Sequence, residues 1–222
     1  MRTVSAIKNI NSTLIVYGFN MVLQFIIRFV LLYYLSIEYL GLNGLFDNIL
    51  TVLSLTELGI GPAIIFSLYS PLANHDLETA KSIMRIFKKA YIYIGTLILF
   101  LGLCISPFVQ YLIKVPPNIA YLNIFFLLFV VDTGISYFYS YKKCLLIADQ
   151  KQYIANYYRG ITQLIGSLFQ IALVILTHSF WVYIILRICM TFSENFLIAR
   201  KADHLYSFLN EKNIQPLNKD IY

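Results

Sequence analysis

Hydrophobic residues occur along this chain as long, unbroken runs that are separated by short polar stretches. Several runs reach twenty residues or more, and a helix of that length crosses the roughly 30 Å of hydrocarbon in a bilayer. Membrane-spanning strands instead alternate apolar and polar residues over about ten positions. The pattern therefore predicts an all-α, polytopic membrane protein with about six transmembrane helices, near residues 12–36, 41–70, 87–113, 119–143, 154–178 and 179–201.

These helices predict one transmembrane lobe over residues 1–201, followed by a linker or tail over residues 202–222. The first apolar run, residues 14–35, is longer than the core of a signal peptide and lacks a small-residue cleavage site. We therefore expect it to be retained as a helix. Prolines and polar residues mark the connections, at Pro71 and Asn74, at Pro116 and Pro117, and at His178 and Ser179.

Basic residues alternate between the two ends of the predicted helices, and the sparse side carries only Lys114. Cytoplasmic loops of membrane proteins carry an excess of lysine and arginine, so both termini are expected in the cytoplasm. The net charge of +6 is then a topology signal and does not indicate a nucleic-acid partner. The residues on the basic side are Arg2, Lys8, Lys81, Arg85, Lys88, Lys89, Lys142, Lys143, Lys151, Arg200, Lys201, Lys212 and Lys219.

Composition agrees with the hydropathy pattern, since 59% of the residues are apolar and 13% are charged. Soluble domains have roughly 45–50% and 25%. The three cysteines lie in or beside apolar segments and the three histidines are isolated, so no metal site is predicted. These residues are Cys104, Cys144, Cys189, His75, His178 and His204.

Polar side chains recur on one face of five of the six predicted helices, whereas the third is apolar nearly all round and is expected at the edge of the bundle. A charge at bilayer depth costs at least roughly 2.5–3.5 kcal/mol, so each one needs a partner or a role. The polar faces comprise Tyr17, Asn20, Gln24 and Arg28; Asn43, Asp47, Thr51, Ser54 and Glu57; Asp132, Ser136 and Ser140; Arg159, Gln163, Ser167 and Gln170; and Arg187, Thr191 and Glu194.

Two interpretations of these faces are open. They could hold the helices together through hydrogen bonds and ion pairs, such as Arg28 with Asp47 or Arg187 with Glu194. They could also form the wall of a hydrated cavity. The simpler interpretation suits any single residue, but five polar faces together favour a cavity, because packing alone rarely needs so many.

The second predicted helix contains the unusual segment ELGIGPA at residues 57–63. Pro62 lacks an N–H and clashes with the preceding turn, and Gly59 and Gly61 loosen the same turn, so the helix should kink or break there. Discontinuous helices recur in secondary transporters, where the freed backbone groups serve binding or bending. The three residues are therefore a candidate conformational hinge, with a plain proline kink as the alternative.

Enzyme signatures are absent from the sequence, which has no GxxxxGK[ST], HExxH or GxSxG motif. Asp132 or Glu194 could in principle act as a general acid or base, but nothing pairs either residue with a nucleophile. The sequence predicts a protein that is not an enzyme and needs no cofactor.

Several segments together resemble one family. These are AIKNI at residues 6–10, NGL at 43–45, ELGIGPA at 57–63, SLYSPLA at 67–73 and ARKADHLY at 199–206. They are similar to bacterial polysaccharide repeat-unit flippases, the polysaccharide transporters of the MATE-like multidrug/oligosaccharidyl-lipid/polysaccharide superfamily. The resemblance implies a six-helix lobe that faces a second lobe around a central cavity. EKNIQPLN at 211–218 resembles the linker into that second lobe, so we expect a half or truncated transporter, or a lobe that pairs with a second copy.

The resemblance implies translocation of an undecaprenyl-diphosphate-linked oligosaccharide across the bacterial plasma membrane for capsule, O-antigen or exopolysaccharide biosynthesis. Its partners would be this lipid-linked oligosaccharide and membrane lipids. By position and chemistry, the hypothetical substrate-binding residues are Arg28, Arg187, Asn20, Gln24 and Gln163. The hypothetical counter-ion or ion-coupling residues are Asp47, Glu57, Asp132 and Glu194. The alternatives are a cation-coupled drug or metabolite antiporter of the same superfamily and an inactive membrane remnant or scaffold.

Overall fold

The computed structural model describes residues 2–57, 59–113 and 119–210. Within these ranges the chain forms seven α-helices and no β-strand. The helices are α1 (Arg2–Tyr34), α2 (Ile37–Ser54), α3 (Ile60–Ala73), α4 (Leu77–Ile105), α5 (Leu122–Ala148), α6 (Gln152–Thr177) and α7 (Phe180–Leu205). Short 3-10 turns cover Leu55–Glu57, Ser106–Leu112 and Ser207–Asn210.

Among the described residues, five helical segments are long and apolar enough to cross a membrane. They are Ser5–Tyr34, Leu77–Leu112, Leu122–Ala148, Gln152–Thr177 and Phe180–Leu205, and the shorter helix α3 is also apolar. The chain is therefore an all-α, multi-pass membrane protein, which confirms the predicted fold class.

The predicted second span, residues 41–70, consists of two helices joined by a turn. Helix α2 ends at Ser54, a 3-10 turn follows, and α3 begins at Ile60. Gly59, immediately before α3, has a φ of 86°, in the left-handed region that glycine adopts without steric cost. Pro62 lies in the first turn of α3, where its missing N–H would have no partner within the helix. Leu58 of the predicted hinge segment lies outside the described residues.

We expect Gly59→Ala to destabilise the protein by about 1 kcal/mol, since a Cβ disfavours the left-handed conformation by roughly this amount. No side-chain clash contributes, because a Cβ at this position meets nothing within 4 Å. The thermal unfolding midpoint of the purified protein in detergent measures the change. Gly44→Ala, in helix α2 and equally free of neighbours, is the matched control and should not be destabilised. Equal stability of the two variants would contradict a strained turn at Gly59.

Two helices begin earlier than hydropathy predicts. Helix α1 begins at Arg2 instead of near residue 12, and α4 begins at Leu77 instead of near residue 87. Asp76 caps α4 by accepting a hydrogen bond from the Thr79 N–H at 3.0 Å, and this contact lowers the pKa of Asp76. Hydropathy detects only the part of a helix that lipid surrounds, so these polar first turns were assigned to loops.

Two of the predicted connections also differ from those in the structure. Pro71 lies inside α3, and the turn follows at Asn74. The basic residues Lys81, Arg85, Lys88 and Lys89 lie on α4 and not in a loop. Lys114, Pro116, Pro117 and residues 211–222 of the predicted linker lie outside the described residues.

Helix α5 is central in the bundle and packs against α2, α3, α4 and α7. Helix α7 also packs on α6, which packs on α1, and α1 contacts α2. Helices α1, α2, α5, α7 and α6 thus form a closed ring, while α4 lies beside α5 outside it. The apolar third span therefore lies outside the ring, but its apolar window is 33% buried, as that of α7 is, against 17% for α1 and α6, so it is not the most lipid-exposed helix.

Both described chain ends lie at one end of the bundle, which we call the termini end. The Asn9 amide of α1 donates a hydrogen bond to the Gln150 carbonyl, which precedes α6, at 2.9 Å. The Tyr206 hydroxyl, just after α7, donates to Asp149 at 2.6 Å. Burial and this hydrogen bond to a carboxylate raise the pKa of Tyr206 above its usual value.

Candidate functional site

A polar cavity of about 230 Å³, here called the central cavity, lies inside the ring of five helices. Its volume has room for several water molecules. Each helix of the ring contributes at least one polar side chain, and α4 contributes none. The lining residues are Gln24, Ile27, Arg28, Asn43, Asp47, Asp132, Gln163, Gln170, Tyr183, Arg187, Met190 and Thr191.

Arg187 organises one wall of the central cavity. It lies two turns into α7, about 10 Å along the helix axis and therefore at bilayer depth. Its Nη2 donates to Asp47 Oδ1 at 2.7 Å, and its Nε donates to Asp132 Oδ2 at 2.8 Å. The guanidinium carbon also lies 4.3 Å from the centroid of the Phe129 ring. One arginine thus connects α2, α5 and α7.

Neutral side chains complete the hydrogen bonding around Arg187. The side-chain Oδ1 of Asn43 accepts from Arg187 Nη1 at 3.3 Å and from the Tyr183 hydroxyl at 3.0 Å. Gln170 of α6 donates to the Tyr183 carbonyl at 2.9 Å. Asp132 Oδ1 is buried and has no hydrogen-bond partner. The network leaves one carboxylate oxygen without a donor next to the central cavity.

Charge in the central cavity is balanced overall but not locally. Arg187 contacts two carboxylates, so that cluster carries a formal excess of one negative charge. Arg28 of α1, on the same cavity, formally compensates it. Within the described ranges, no ion pair or hydrogen bond involves the Arg28 side chain. Arg28 is therefore a cation without an intramolecular counter-ion at a polar cavity.

The two ion pairs suggested from the sequence are wrong. Arg187 pairs with Asp47 and Asp132, which leaves Arg28 without Asp47. Glu194 does not bond to Arg187, because the two lie two turns apart on α7 and contact different neighbours. Glu194 instead accepts from Gln163 at 3.4 Å and lies 3.5 Å from Arg159, both on α6.

A larger groove of about 760 Å³, here called the α1/α6 groove, adjoins the central cavity. Gln24 and Gln163 line both spaces, so the two adjoin at these side chains. Arg159 provides the groove's positive charge, with its Nη1 3.4 Å from the Tyr17 hydroxyl. Asn20 also lines the groove, and its Oδ1 is buried without a hydrogen-bond partner.

Most of the predicted site residues are brought together. Six line the central cavity, namely Arg28, Arg187, Gln24, Gln163, Asp47 and Asp132. Asn20 lines the adjoining groove, and Glu194 is buried behind Gln163. This arrangement agrees with polar faces that converge on a shared space.

Glu57 belongs to a different cluster and does not line either space. Its Oε1 accepts a hydrogen bond from the Tyr91 hydroxyl at 2.7 Å, and that hydroxyl lies 3.7 Å from Cys144 Sγ. A Cβ on Gly61 would lie 3.3 Å from the same hydroxyl. The broken second span is thus held against α4 and α5, with Gly61 allowing the close approach.

Several polar residues that line the two spaces were not predicted as site residues, among them Asn43, Arg159, Gln170, Tyr183 and Thr191. Arg159 and Gln170 belong to the polar face of α6, so the same periodicity that selected Gln163 could have selected them. Tyr183 gave no signal, because an aromatic residue in an apolar run is normally a packing residue. In the described part of the chain, no group of three metal-ligating side chains comes together.

No protein-family model, curated protein or solved structure matches this chain. The class is defined by the fold and the cavity alone. The chain is a multi-pass α-helical membrane protein whose bundle contains a charged, polar cavity that is partly open to its surroundings.

Proposed function

We propose that this chain is one lobe of a transporter that moves the anionic headgroup of a lipid-linked oligosaccharide across the bacterial plasma membrane, for surface polysaccharide biosynthesis. The observation that supports this proposal is that five separate helices line one polar cavity, in which Arg28 has no counter-ion among the residues that the structure describes. The sequence resemblance to polysaccharide repeat-unit flippases supplies the substrate class.

The energetic problem of such transport is dehydration. Moving a sugar hydroxyl or a phosphate into hydrocarbon without a hydrogen bond costs several kcal/mol for each polar group. A cavity lined by amides and guanidinium groups replaces the lost water. Arginine suits a diphosphate because it stays charged and donates to two oxygens at once. In this proposal Arg28 binds phosphate, while Gln24 and Gln163 bind sugar hydroxyls.

Size determines where such a headgroup would bind. The central cavity, at about 230 Å³, is smaller than the roughly 300–1,000 Å³ of typical ligand pockets. The α1/α6 groove, at about 760 Å³, is within that range and shares two glutamines with the central cavity. The proposal therefore assigns the sugar to the groove and the phosphate to Arg28 in the adjoining central cavity.

The α1 face of the bundle suggests a partner lobe. Gln24 and Arg28 are exposed on α1 at membrane depth. An arginine there is costly against lipid, so a protein surface is expected to cover it. Within this proposal, that surface is a second six-helix lobe or a second copy of this chain.

We expect Arg28→Gln to slow transfer at least tenfold without destabilising the protein. A hydrogen bond to a charged group contributes roughly 1.5–3 kcal/mol, and each 1.4 kcal/mol is a factor of ten. Stability should change by no more than about 0.5 kcal/mol, because no intramolecular contact is lost. Vesicles containing the full chain and a fluorescent lipid-linked sugar report transfer through a membrane-impermeant quencher.

Arg85→Gln is the matched control, since Arg85 is exposed on α4 and lies outside both cavities. It should transfer like the unaltered chain. If Arg28→Gln transfers the lipid-linked sugar at the same rate as the unaltered chain, Arg28 does not bind the phosphate. No transfer by the unaltered chain would favour an inactive remnant or scaffold.

A cation-coupled antiporter is the second candidate, because the buried Asp132 Oδ1 lacks a donor and could bind a proton or another cation. Deletion of the gene separates the two functions. Loss of surface polysaccharide with unchanged drug sensitivity supports the flippase, and the opposite result supports the antiporter.

A further inference from the structure

A third cavity lies at the termini end of the bundle, between the first turns of α1 and α6. It has a volume of about 690 Å³, and it shares no lining residue with the central cavity or the α1/α6 groove. Lys8 of α1 and Lys201 of α7 line it, together with Tyr153 and Tyr157 of α6. Its remaining wall includes the apolar side chains Ile15, Val16 and Ile154. We call it the lysine groove.

Its two lysines are not neutralised by acidic side chains. The neighbouring carboxylates are already paired, Asp149 with Lys151 at 2.6 Å and Asp203 with Lys142 at 2.7 Å. Over the described ranges, neither Lys8 nor Lys201 has an acidic partner. Lys8 Nζ contacts only an aromatic face, 5.9 Å from the centroid of the Tyr153 ring. The groove therefore has an uncompensated positive charge.

Hydrogen bonds between α1 and α6 define the shape of the lysine groove. Asn9 Oδ1 accepts from the Tyr153 N–H at 2.9 Å. The Asn156 amide donates to Ser12 at 3.0 Å and to Thr13 at 2.9 Å. These bonds hold the α1 and α6 walls of the groove together, and α7, which carries Lys201, packs on α6. The backbone positions that form the groove are therefore defined without a ligand.

The groove also lies at the depth of lipid headgroups. The apolar span of α1 begins at Ser5, next to Lys8, and Lys201 lies in the last turns of α7. Tyrosines are enriched at this membrane level because their rings are apolar and their hydroxyls are polar. A ligand in the groove would meet positive charge on the water side and apolar side chains on the lipid side.

We infer that the lysine groove binds an anionic phospholipid, with the phosphate at Lys8 and Lys201 and an acyl chain along Ile15 and Ile154. Basic pockets between transmembrane helices are the usual sites for such headgroups. A zwitterionic lipid gains less, since its own ammonium group already compensates its phosphate. This inference does not depend on the proposed transport function.

Native mass spectrometry of the full chain, purified with equal phosphatidylglycerol and phosphatidylcholine, tests the inference. The unaltered chain should retain phosphatidylglycerol preferentially. Lys8→Gln with Lys201→Gln should weaken retention about 30-fold, from roughly fivefold for each lysine near a membrane surface. Lys88→Gln with Lys89→Gln is the control, since both lysines are exposed on α4 and lie outside the groove. It should retain phosphatidylglycerol like the unaltered chain.

Ile15→Gln and inorganic phosphate distinguish a lipid from free phosphate. With the lysines intact, Ile15→Gln should weaken lipid retention, because only an acyl chain contacts that wall. Millimolar inorganic phosphate should not displace the lipid. Equal retention by the Lys8/Lys201 variant and its control overturns the inference, and so does displacement by inorganic phosphate. If the double variant does not fold, Lys8→Gln alone, at an exposed position, should still weaken retention about fivefold.

Discussion

Replacing Arg187 by methionine should lower the free energy of unfolding by about 3 kcal/mol. The change leaves Asp132, which is 5% exposed, without its cation, and removal of one partner of a buried pair costs roughly 3–5 kcal/mol. The lower value applies because the second partner, Asp47, has a side chain that is 42% exposed and is stabilised by water. Unfolding of the purified protein in detergent, followed by circular dichroism, measures the loss.

Arg200→Met is the matched control for this prediction. Arg200 is an exposed arginine on the same helix, so Arg200→Met should change the free energy of unfolding of the protein by no more than about 0.5 kcal/mol. Adding Asp132→Asn to Arg187→Met should restore part of the stability, since the uncompensated buried charge is then removed. If the double variant is as unstable as the sum of the single variants, Arg187 and Asp132 do not interact in the way the structure shows.

Gly102→Ala should destabilise the contact between α4 and α5 by about 2 kcal/mol, within the range for overpacked cores. An added Cβ would overlap both γ-methyl groups of Val130. Valine is restricted at χ1 and Val130 is 1% exposed, so its side chain cannot rotate away. Small residues permit such close helix approach in membrane proteins. The unfolding midpoint in detergent again measures the effect.

Gly44→Ala again provides the control, because a Cβ there meets nothing within 4 Å and alanine favours the helix. It should be neutral or slightly stabilising. A second variant, Gly102→Ala with Val130→Ala, should be less destabilised than the two single changes added together, because the smaller side chain makes room for the Cβ. Equal stability of Gly102→Ala and Gly44→Ala would show that α4 does not approach α5 this closely.

The sequence by itself determined the class of protein and which helix faces are polar. An apolar run long enough to span a membrane can form few structures other than a helix, because its backbone groups must be hydrogen-bonded within the segment when lipid surrounds it. A spacing of three or four residues places polar side chains such as Gln24 and Arg28 on one face of α1 whatever surrounds the helix. Periodicity therefore identified most residues that line the central cavity.

Only the tertiary structure decided which charges pair and where the cavity lies. Arg187 selects Asp47 and Asp132 because α7 packs beside α5, and Arg28 remains unpaired because α1 packs mainly on α6. Glu57, on the same predicted polar face as Asp47, bonds to Tyr91 because α2 ends at Ser54 and Glu57 lies in the 3-10 turn that follows. Periodicity along one helix contains no information about the neighbouring helix, and an ion pair depends on both.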